Sequence, residues 1–134
     1  MIIRKSEVEI ESMSRAGAVV AKTLALLGNL AKPGVTTADL DEAAETYIRS
    51  EGGVPTFKGY RGFPAAICTS PNSMVVHGIP GAYELKDGDL ISVDVGVTLD
   101  GFVADSAFTY TVGEVDGDAE RLLEEGFVPD VIVS

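Results

Sequence analysis

The sequence has one cysteine, Cys68, and one histidine, His77. The single cysteine excludes a disulfide within the chain and any cysteine-rich zinc site. No apolar run approaches the roughly 20 residues that a membrane-spanning helix needs, so we expect no membrane insertion. The N-terminal stretch MIIRKSEVEIES lacks the apolar core of a signal peptide, and we therefore expect a cytoplasmic protein.

Basic residues are scarce in the second part of the chain. Residues 1–61 contain eight Lys or Arg and eight Asp or Glu, whereas residues 62–134 contain only Lys86 and Arg121 against thirteen acidic residues. The second part therefore carries the whole net charge of −11. Nucleic-acid binding needs a basic surface, so this distribution argues against a nucleic-acid partner. An acidic stretch is usually a solvated face, and the alternative is a cation site.

The first part of the chain has the periodicity of helices. Ser6 followed by Glu9 predicts a capping box at the start of a first helix, and Gly28-Asn29 predicts its end. Thr37 is predicted to cap a second helix. The predicted buried faces are Ile10, Met13, Gly17, Val20, Leu24 and Leu27 in the first helix and Leu40, Ala43, Ala44, Tyr47 and Ile48 in the second.

After Gly53 the pattern changes to short β-branched runs between turn residues, which is typical of strands. The predicted strands are 65–70 and 73–80 around a turn at Pro71-Asn72, 89–97 and 102–112 around TLDG, and one more strand at the end of the chain after a helix at 116–125. Two helices followed by four or five antiparallel strands predict an α+β fold. We expect residues 1–134 to form a single domain.

Two aspartates, Asp94 and Asp105, interrupt the apolar character of the second hairpin. Alternation assigns both to its polar face, and a turn near Asp100 brings them opposite or diagonal to one another. Their Cβ atoms would then lie about 4.5–5.5 Å apart if opposite, or about 7–8 Å apart on a diagonal. Like charges so placed repel, and a buried pair without a cation would retain a proton.

The simplest interpretation is that this polar face meets water. However, Gly96 lies between the two aspartates, where it favours close approach of a ligand or of backbone. His77, on a neighbouring predicted strand, adds a side chain that titrates near neutral pH. Hard divalent cations bind carboxylate oxygens, and two such ions about 3.5–4 Å apart promote hydrolysis. The pattern therefore suggests metal-assisted hydrolysis of an amide, although the spacing alone is a weak signal.

Several segments resemble the type I methionine aminopeptidases, which have the pita-bread fold. SMVVHGIP is similar to the histidine strand of that family, ISVDVGVTLDGFVADSAFTYTVGE to the strand pair with its first two metal ligands, and PTFKGYRGFPAAICTS to the stretch that shapes its methionine pocket. GVTTADLDEAAETYIRSEGGVPTF also matches. The resemblance covers residues 1–124 and implies half of a pita-bread fold, an antiparallel sheet with two N-terminal helices packed on one face.

The resemblance also implies the chemistry of the site. It identifies Asp94 as a metal-chelating ligand, Asp105 as a metal-bridging ligand, and His77 as the catalytic histidine that contacts the substrate near the scissile peptide. Two divalent ions would occupy the complete site, and cobalt, manganese, iron and zinc are all compatible with oxygen ligands. The implied activity is removal of methionine from the N-termini of new proteins, so the expected partner is a peptide or protein N-terminus with its initiator methionine.

Three further residues fall where the family lines its methionine pocket, namely Tyr60, Phe63 and Cys68. A small pocket of apolar and aromatic side chains suits the flexible thioether of methionine. Ordinary core packing is the alternative interpretation of these three side chains, and for Cys68 the two interpretations are compatible.

The family's second half supplies one more histidine and two glutamates as metal ligands, together with a second catalytic histidine. This chain contains a single histidine in 134 residues, so we expect a truncated or half-length form with an incomplete site. Two carboxylates leave most of the six or so positions around a divalent ion to water, so we expect weak metal binding unless Glu120, Glu124 or Glu125 contributes. A homodimer would bring a second set of ligands to one cleft.

Two other functions compete with this interpretation. A pita-bread peptidase acting on Xaa-Pro bonds would share the paired aspartates but not the segments KGYRGF, ICTS and VVHGIP. A catalytically inactive binding module would keep the fold and use its surface for a partner. Metal content together with turnover of methionyl and Xaa-Pro peptides separates the three.

Overall fold

The computed structural model describes residues 7–72, 78–113 and 132–133. Two helices precede a short two-residue strand, a 3₁₀ turn and the main strands, as the α+β prediction requires. The elements are α1 (Glu7–Leu30), α2 (Thr37–Ser50), β1 (Val54–Pro55), the 3₁₀ turn Tyr60–Gly62, β2 (Ile67–Pro71), β3 (Leu90–Leu99), β4 (Phe102–Thr111) and β5 (Ile132–Val133).

The predicted buried face of α1 is confirmed at Val20, Leu24 and Leu27 and is wrong at Ile10, which is 53% exposed. Met13 and Gly17 are only partly buried, and the helix also buries residues outside the prediction, Ser12, Ala16, Val19 and Thr23. Thr23 can be buried because its hydroxyl donates to the carbonyl of Val19 at 2.6 Å, so no polar group is left unpaired. A prediction from apolar residues alone could not include such a threonine. The helix also continues past Gly28-Asn29 to Leu30, and the predicted cap Ser6 lies outside the described residues.

The N-cap of α2 is Thr36, one residue before the predicted Thr37. The Thr36 hydroxyl accepts from the amide of Asp39 and the Asp39 carboxylate accepts from the amide of Thr36, both at 3.0 Å, which completes a capping box. Thr37 is buried, and its hydroxyl accepts from the amide of Gly81 at 2.8 Å. The predicted apolar face is confirmed, since Leu40, Ala44 and Ile48 are fully buried.

The described strands form one antiparallel sheet in which β3 is central. β4 pairs with one edge of β3, β5 pairs with the far edge of β4, and β1 and β2 pair with successive parts of the other edge of β3. The predicted hairpin turn is confirmed: Asp100 and Gly101 have φ values of 51° and 84°, the left-handed pair that a two-residue type I′ turn requires.

Two predicted elements lie wholly or partly outside the described residues. These are the strand at 73–80, of which 73–77 are not described, and the helix at 116–125. Within the predicted strand at 73–80, Gly78 is described, and its carbonyl accepts a hydrogen bond from the amide of Thr69 in β2 at 2.8 Å. The last predicted strand is observed as β5, with Ile132 opposite Asp105 and Val133 opposite Ala104.

Both helices pack on the same face of the sheet, as predicted. Alternate residues of β3 reach this core, and Ile91, Val93, Val95 and Val97 are each 0% exposed. Tyr110 from β4 joins them, and its hydroxyl donates to the carbonyl of Leu24 in α1. The opposite face of the sheet carries Asp94 and Asp105. Among the described residues, no helix combines the length and apolar character needed to cross a membrane.

Candidate active site

The hairpin register places Asp94 and Asp105 on one face of the sheet. Asp105 lies directly opposite Gly96, and Asp94 lies directly opposite Ala107, so the two carboxylates are diagonal neighbours. Such diagonal pairs have Cα atoms about 7–8 Å apart, within reach of one bridging ion or two adjacent ions. Asp94 is exposed and Asp105 is half-buried. The predicted juxtaposition of the two aspartates is therefore confirmed, on the diagonal rather than directly opposite.

The electrostatics of Asp94 follow from this position. Although Asp94 is exposed at the surface, neighbouring protein atoms displace part of the water around its carboxyl and raise its pKa, and the negative charge of Asp105 raises it further. Both effects disfavour a second negative charge at the same place. A bound cation would reverse the second effect, so the arrangement accommodates positive charge better than it accommodates two free carboxylates.

Cys68 lies directly opposite Asp94 on the other side, in the β2–β3 pair. Partial burial raises the pKa of its thiol, and the charge of Asp94 adds to the increase, so Cys68 is a neutral thiol at neutral pH. The start of β2 is held by α2, because one carboxylate oxygen of Asp41 accepts from the amides of Ala66 and Ile67 at 2.8 and 3.0 Å. The position of Cys68 beside Asp94 thus depends on an anchor in the helical layer.

An apolar pocket of about 430 Å³ opens beside the carboxylates. All three residues predicted to line a methionine pocket lie there together. The lining consists of Phe57, Tyr60, Arg61, Gly62, Phe63, Pro64, Cys68 and Ile79. Sequence reasoning did not single out Phe57 and Ile79, although both belong to the quoted segments PTFKGYRGF and VVHGIP. The apolar character of these two residues, together with their place in those segments, was the signal that could have included them in the pocket.

The wall of the pocket around Tyr60 is a tight loop with an unusual backbone. Gly59, Arg61 and Gly62 have φ values of 84°, 50° and 80°, all in the left-handed region. Backbone hydrogen bonds close the loop, among them those from the amide of Gly59 to the carbonyl of Phe63 at 2.8 Å and from the amide of Tyr60 to the carbonyl of Phe57 at 3.0 Å. The Arg61 guanidinium lies over the Tyr60 ring, 5.3 Å from its centre, and contributes a positive charge at the pocket rim.

The remaining predicted site residue, His77, lies outside the described residues, as do Glu120, Glu124 and Glu125. Gly78, which follows it in the sequence, is buried against Cys68. Within the ranges 7–72, 78–113 and 132–133, no group of three or more His, Cys, Asp or Glu side chains is arranged to hold a metal ion. The described part of the chain thus provides two carboxylates, which are fewer ligands than a complete metal shell needs, and an apolar pocket.

Comparison with known proteins gives a consistent result. A model of metallopeptidase family M24 matches residues 11–125. The methionine aminopeptidase of Clostridium perfringens is 50% identical over 130 residues, which are 95% of this chain and 52% of that protein. Methionine aminopeptidase 1 of Bacillus subtilis is 49% identical over 124 residues, 92% of this chain and 50% of that protein. The chain therefore spans about half the length of the curated relatives it matches.

Solved structures agree on the fold. The crystal structure of methionine aminopeptidase from Rickettsia prowazekii has a TM-score of 0.78 at 40% identity, covering 92% of this chain and 50% of that one. Escherichia coli aminopeptidase P in complex with substrate has a TM-score of 0.65 at 22% identity and covers 80% of this chain, which shows a common fold alone. The prediction of half a pita-bread fold, with two helices on one face of an antiparallel sheet, is confirmed.

Proposed function

Because the chain belongs to metallopeptidase family M24, we propose that it provides half of the active site of a metal-dependent aminopeptidase. The reaction is hydrolysis of the peptide bond that follows an N-terminal methionine, on new proteins in the cytoplasm. In this proposal the chain contributes two metal-binding carboxylates and the pocket for the methionine side chain. The remaining groups come from outside the described residues.

One observation carries the proposal: Cys68 belongs to the apolar pocket and is also the direct cross-strand neighbour of Asp94. The pocket therefore borders, through Cys68, the strand position of Asp94. An N-terminal residue carries its side chain and its α-amino group on the same carbon atom, so it needs an apolar pocket and a site for the amino group next to each other. A substrate with its side chain in this pocket would hold its α-amino group, and the adjacent carbonyl, beside Asp94.

The chain's own residues account for binding and orientation. The pocket of about 430 Å³ is large enough for a long unbranched side chain and is lined mainly by aromatic and apolar groups, which favour a thioether. Cys68 stays neutral beside Asp94 and so adds no third negative charge to this wall. The position of the pocket next to Asp94 fixes the direction of the peptide, because a side chain in the pocket leaves the α-amino group on the side of that strand.

The donor atoms fit a divalent metal. Two carboxylates on one face are hard oxygen ligands, and their mutual repulsion is relieved by a cation. We propose that Asp94 and Asp105 would hold the divalent ions, with cobalt, manganese, iron or zinc as the metal. When bound, the ions would polarise the scissile carbonyl and lower the pKa of water. His77 is proposed to contact the substrate at the scissile peptide.

Methionine specificity is favoured over the competing functions by the relatives. Proteins that are 49–50% identical to this chain are named methionine aminopeptidases, whereas aminopeptidase P at 22% identity supports only the fold. The apolar pocket beside the carboxylates also distinguishes a peptidase site from an inactive module, since a module that binds through its outer surface has no need of this arrangement.

The proposal is tested by metal binding measured at the site itself. Manganese titrated into the ¹⁵N-labelled chain should broaden the amide resonances around Asp94, Gly96 and Asp105 first, because paramagnetic relaxation falls steeply with distance. Asp94→Asn should abolish this selectivity, while the matched variant Glu42→Gln, at an exposed helix position, should retain it. Uniform broadening in the wild type, or unchanged selectivity in Asp94→Asn, would contradict the proposed metal site.

Peptide cleavage and the mass of the chain in solution provide two further tests of the proposal. With manganese or cobalt, a methionyl peptide should be cleaved in preference to a matched Xaa-Pro peptide once the complementary half of the site is present. Light scattering tests whether a second copy supplies that half: a homodimer formed when metal is added would have twice the 14.0 kDa mass of the chain. A mass of 14.0 kDa both with and without metal would rule out the homodimer.

A further inference from the structure

Gly96 occupies an unusual position in the centre of the sheet. It lies on the same face as Asp94 and Asp105, two residues after the first and directly opposite the second. Glycine weakens the interior of a strand, because it has no side chain to pack and loses more backbone freedom on folding. Gly96 is nevertheless buried, although Asp94 beside it is exposed. Something covers the sheet at this point.

The cover is the aromatic ring of Phe57. A Cβ atom added at Gly96 would lie 3.0 and 3.1 Å from two ring carbons of Phe57, Cε1 and Cζ, and 3.3 Å from the Cβ of Thr56. These distances are shorter than ordinary carbon contacts of about 3.5–4.0 Å. Phe57 is also a wall of the apolar pocket. One ring therefore rests on the glycine between the carboxylates and bounds the pocket next to them.

The backbone on both sides of Phe57 is held. The amide of Thr56 donates to the carbonyl of Gly96 at 3.0 Å, and the hydroxyls of Thr56 and Thr98 are hydrogen-bonded at 2.9 Å. After Phe57, the Lys58 ammonium pairs with Glu45 of α2 at 2.7 Å. A side chain at position 96 could therefore not be accommodated by sliding the segment along the sheet. The Phe57 ring itself would have to shift away from position 96.

We propose that Gly96 is a specificity-determining position that acts through Phe57: the missing side chain lets the ring lie flat on the sheet and keeps the pocket open beside the carboxylates. Lifting the ring would move it towards the space that it lines. The pocket would then become shorter, and long unbranched N-terminal side chains would lose more binding than short ones. The identity of these ligands rests on the proposed function, whereas the contact between Gly96 and Phe57 does not.

The contact is tested by a double-mutant cycle in urea with the wild type, Gly96→Ala, Phe57→Ala and the double variant. Gly96→Ala should lower the folding equilibrium constant by a factor that is roughly fivefold larger in the wild-type background than in the Phe57→Ala background. Coupling of this size is found between residues in contact. Gly81→Ala is the matched control, because a Cβ there meets no atom within 4 Å and the same backbone freedom is removed. It should show no coupling to Phe57→Ala.

The specificity role is tested with amides of methionine, norleucine and alanine, followed by NMR shifts of the pocket amides. The wild type should bind the methionine and norleucine amides at least several-fold more tightly than the alanine amide. Gly96→Ala should reduce that preference, Gly96→Val should abolish it, and Phe57→Ala should restore it in the Gly96→Ala background. Gly81→Ala should leave the preference unchanged. A purely structural role of Gly96 would lower all three affinities alike.

The outcomes separate the two proposals. Equal effects of Gly96→Ala with and without Phe57 would overturn the contact and with it the specificity role. Coupling together with an unchanged preference in Gly96→Val would also overturn the specificity role while leaving the proposed function intact. A third outcome is that Gly96 and Phe57 are coupled but the wild type shows no preference among the three amides. This outcome would overturn the methionine pocket of the proposed function, and Gly96 would then be a packing residue only.

Discussion

The two faces of the β3–β4 hairpin are made by alternate residues of the same strands, yet they have opposite properties. On the helix-covered face Ile91, Val93, Val95 and Val97 are completely buried. On the other face, which we call the site face (Ser92, Asp94, Gly96, Thr98, Asp105 and Ala107), Asp94 is exposed and Gly96 alone among these residues of β3 is buried. One face therefore stabilises the fold, and the other holds groups that no folding requirement explains.

The comparison shows that stability depends on one face of the hairpin and the proposed function on the other. Burial of branched side chains against α1 and α2 provides apolar free energy of about 25 cal/mol per Å². The site face instead brings together two like charges, a glycine and a partly open apolar pocket, each of which costs stability. Residues on this face other than Gly96 should accordingly tolerate substitution better than their neighbours on the helix-covered face, and some substitutions should increase stability.

The largest contrast is expected between two adjacent residues, Ile91 and Leu90. Ile91→Ala should lower the free energy of unfolding by about 2–5 kcal/mol, because it leaves a cavity in the close-packed core. Leu90 is 48% exposed on the opposite side of the same strand, and Leu90→Ala should cost less than about 1 kcal/mol. Urea denaturation of both variants measures the difference. Similar losses would show that the two faces do not differ in the way described.

A second prediction concerns the anchor that sets the position of β2 and Cys68. Asp41→Ala removes the acceptor of the Ala66 and Ile67 amides and should cost about 1–3 kcal/mol, the penalty for leaving buried donors without partners. Glu42→Ala, at the neighbouring exposed position, serves as the control and should cost less than about 0.5 kcal/mol. Faster hydrogen exchange in β2 of the Asp41→Ala variant would locate the effect, and unchanged exchange there would contradict it.

A third prediction tests the cost of the paired charges on the site face. In the absence of metal, Asp94→Asn should stabilise the chain by about 0.2–1 kcal/mol at pH 7, since like charges across a sheet destabilise it by such amounts. The sign follows from the raised pKa of Asp94. A carboxyl whose pKa is higher in the folded than in the unfolded state reduces stability above its unfolded pKa and has no such effect well below it.

The stabilisation by Asp94→Asn should therefore be present at pH 7 and disappear at pH 3. Because the chain has a net charge of −11, removal of any acidic group reduces general repulsion, and Glu42→Gln is the control for that contribution. The test is thermal unfolding of the three proteins in the presence of a chelator. Equal stabilisation by the two substitutions would mean that Asp94 and Asp105 do not repel each other specifically.

The smallest effect is expected where the pocket loop is attached to the helical layer. Hydrogen bonds from Lys58 at 2.7 Å and from Arg49 at 2.9 Å lower the pKa of Glu45. A lowered pKa contributes stability that is present above the unfolded value, near 4.3, and is lost as the pH falls through the folded value. Because the partners are exposed, Glu45→Gln should cost only about 0.2–1 kcal/mol at pH 7.

The difference between Glu45→Gln and the wild type should diminish as the pH falls from 7 to 3, because the Glu45 carboxylate takes up a proton and loses its charge. It should also diminish at 1 M salt, where the screening length is only about 3 Å. Unfolding in urea at pH 3 and pH 7, with and without salt, measures all of these differences. A loss of stability in Glu45→Gln that persisted at low pH would point to packing of the side chain rather than to its charge.

Several features followed from the sequence because they depend on local rules. The period-two alternation of 91–97 identified the buried valines, the turn Asp100-Gly101 determined the register of the hairpin, and the two together placed Asp94 and Asp105 on one face. The segment containing Tyr60, Phe63 and Cys68 was identified through its family resemblance. The roles of these residues, and that of His77, stay predictions.

Other features depended on contacts between distant parts of the chain. The buried face of α1 includes Thr23 and excludes Ile10, because the orientation of the helix on the sheet is decided by close packing and not by apolar character alone. The capping box of Thr36 with Asp39 is local, whereas the hydroxyl of Thr37 pairs with Gly81, which is distant in sequence. That second pairing cannot be identified from neighbouring residues.

The sequence by itself thus determined the alternation of the strands, the hairpin turn and the shared face of the two aspartates, since each follows from backbone geometry over a few residues. Only the tertiary structure decided that Phe57 covers Gly96 and that Cys68 joins the pocket to Asp94. Those contacts link residues 39 and 26 positions apart, and they form only when β1 and β2 pair with the same edge of β3. The space left between segments after packing, which no local rule specifies, is what makes the pocket.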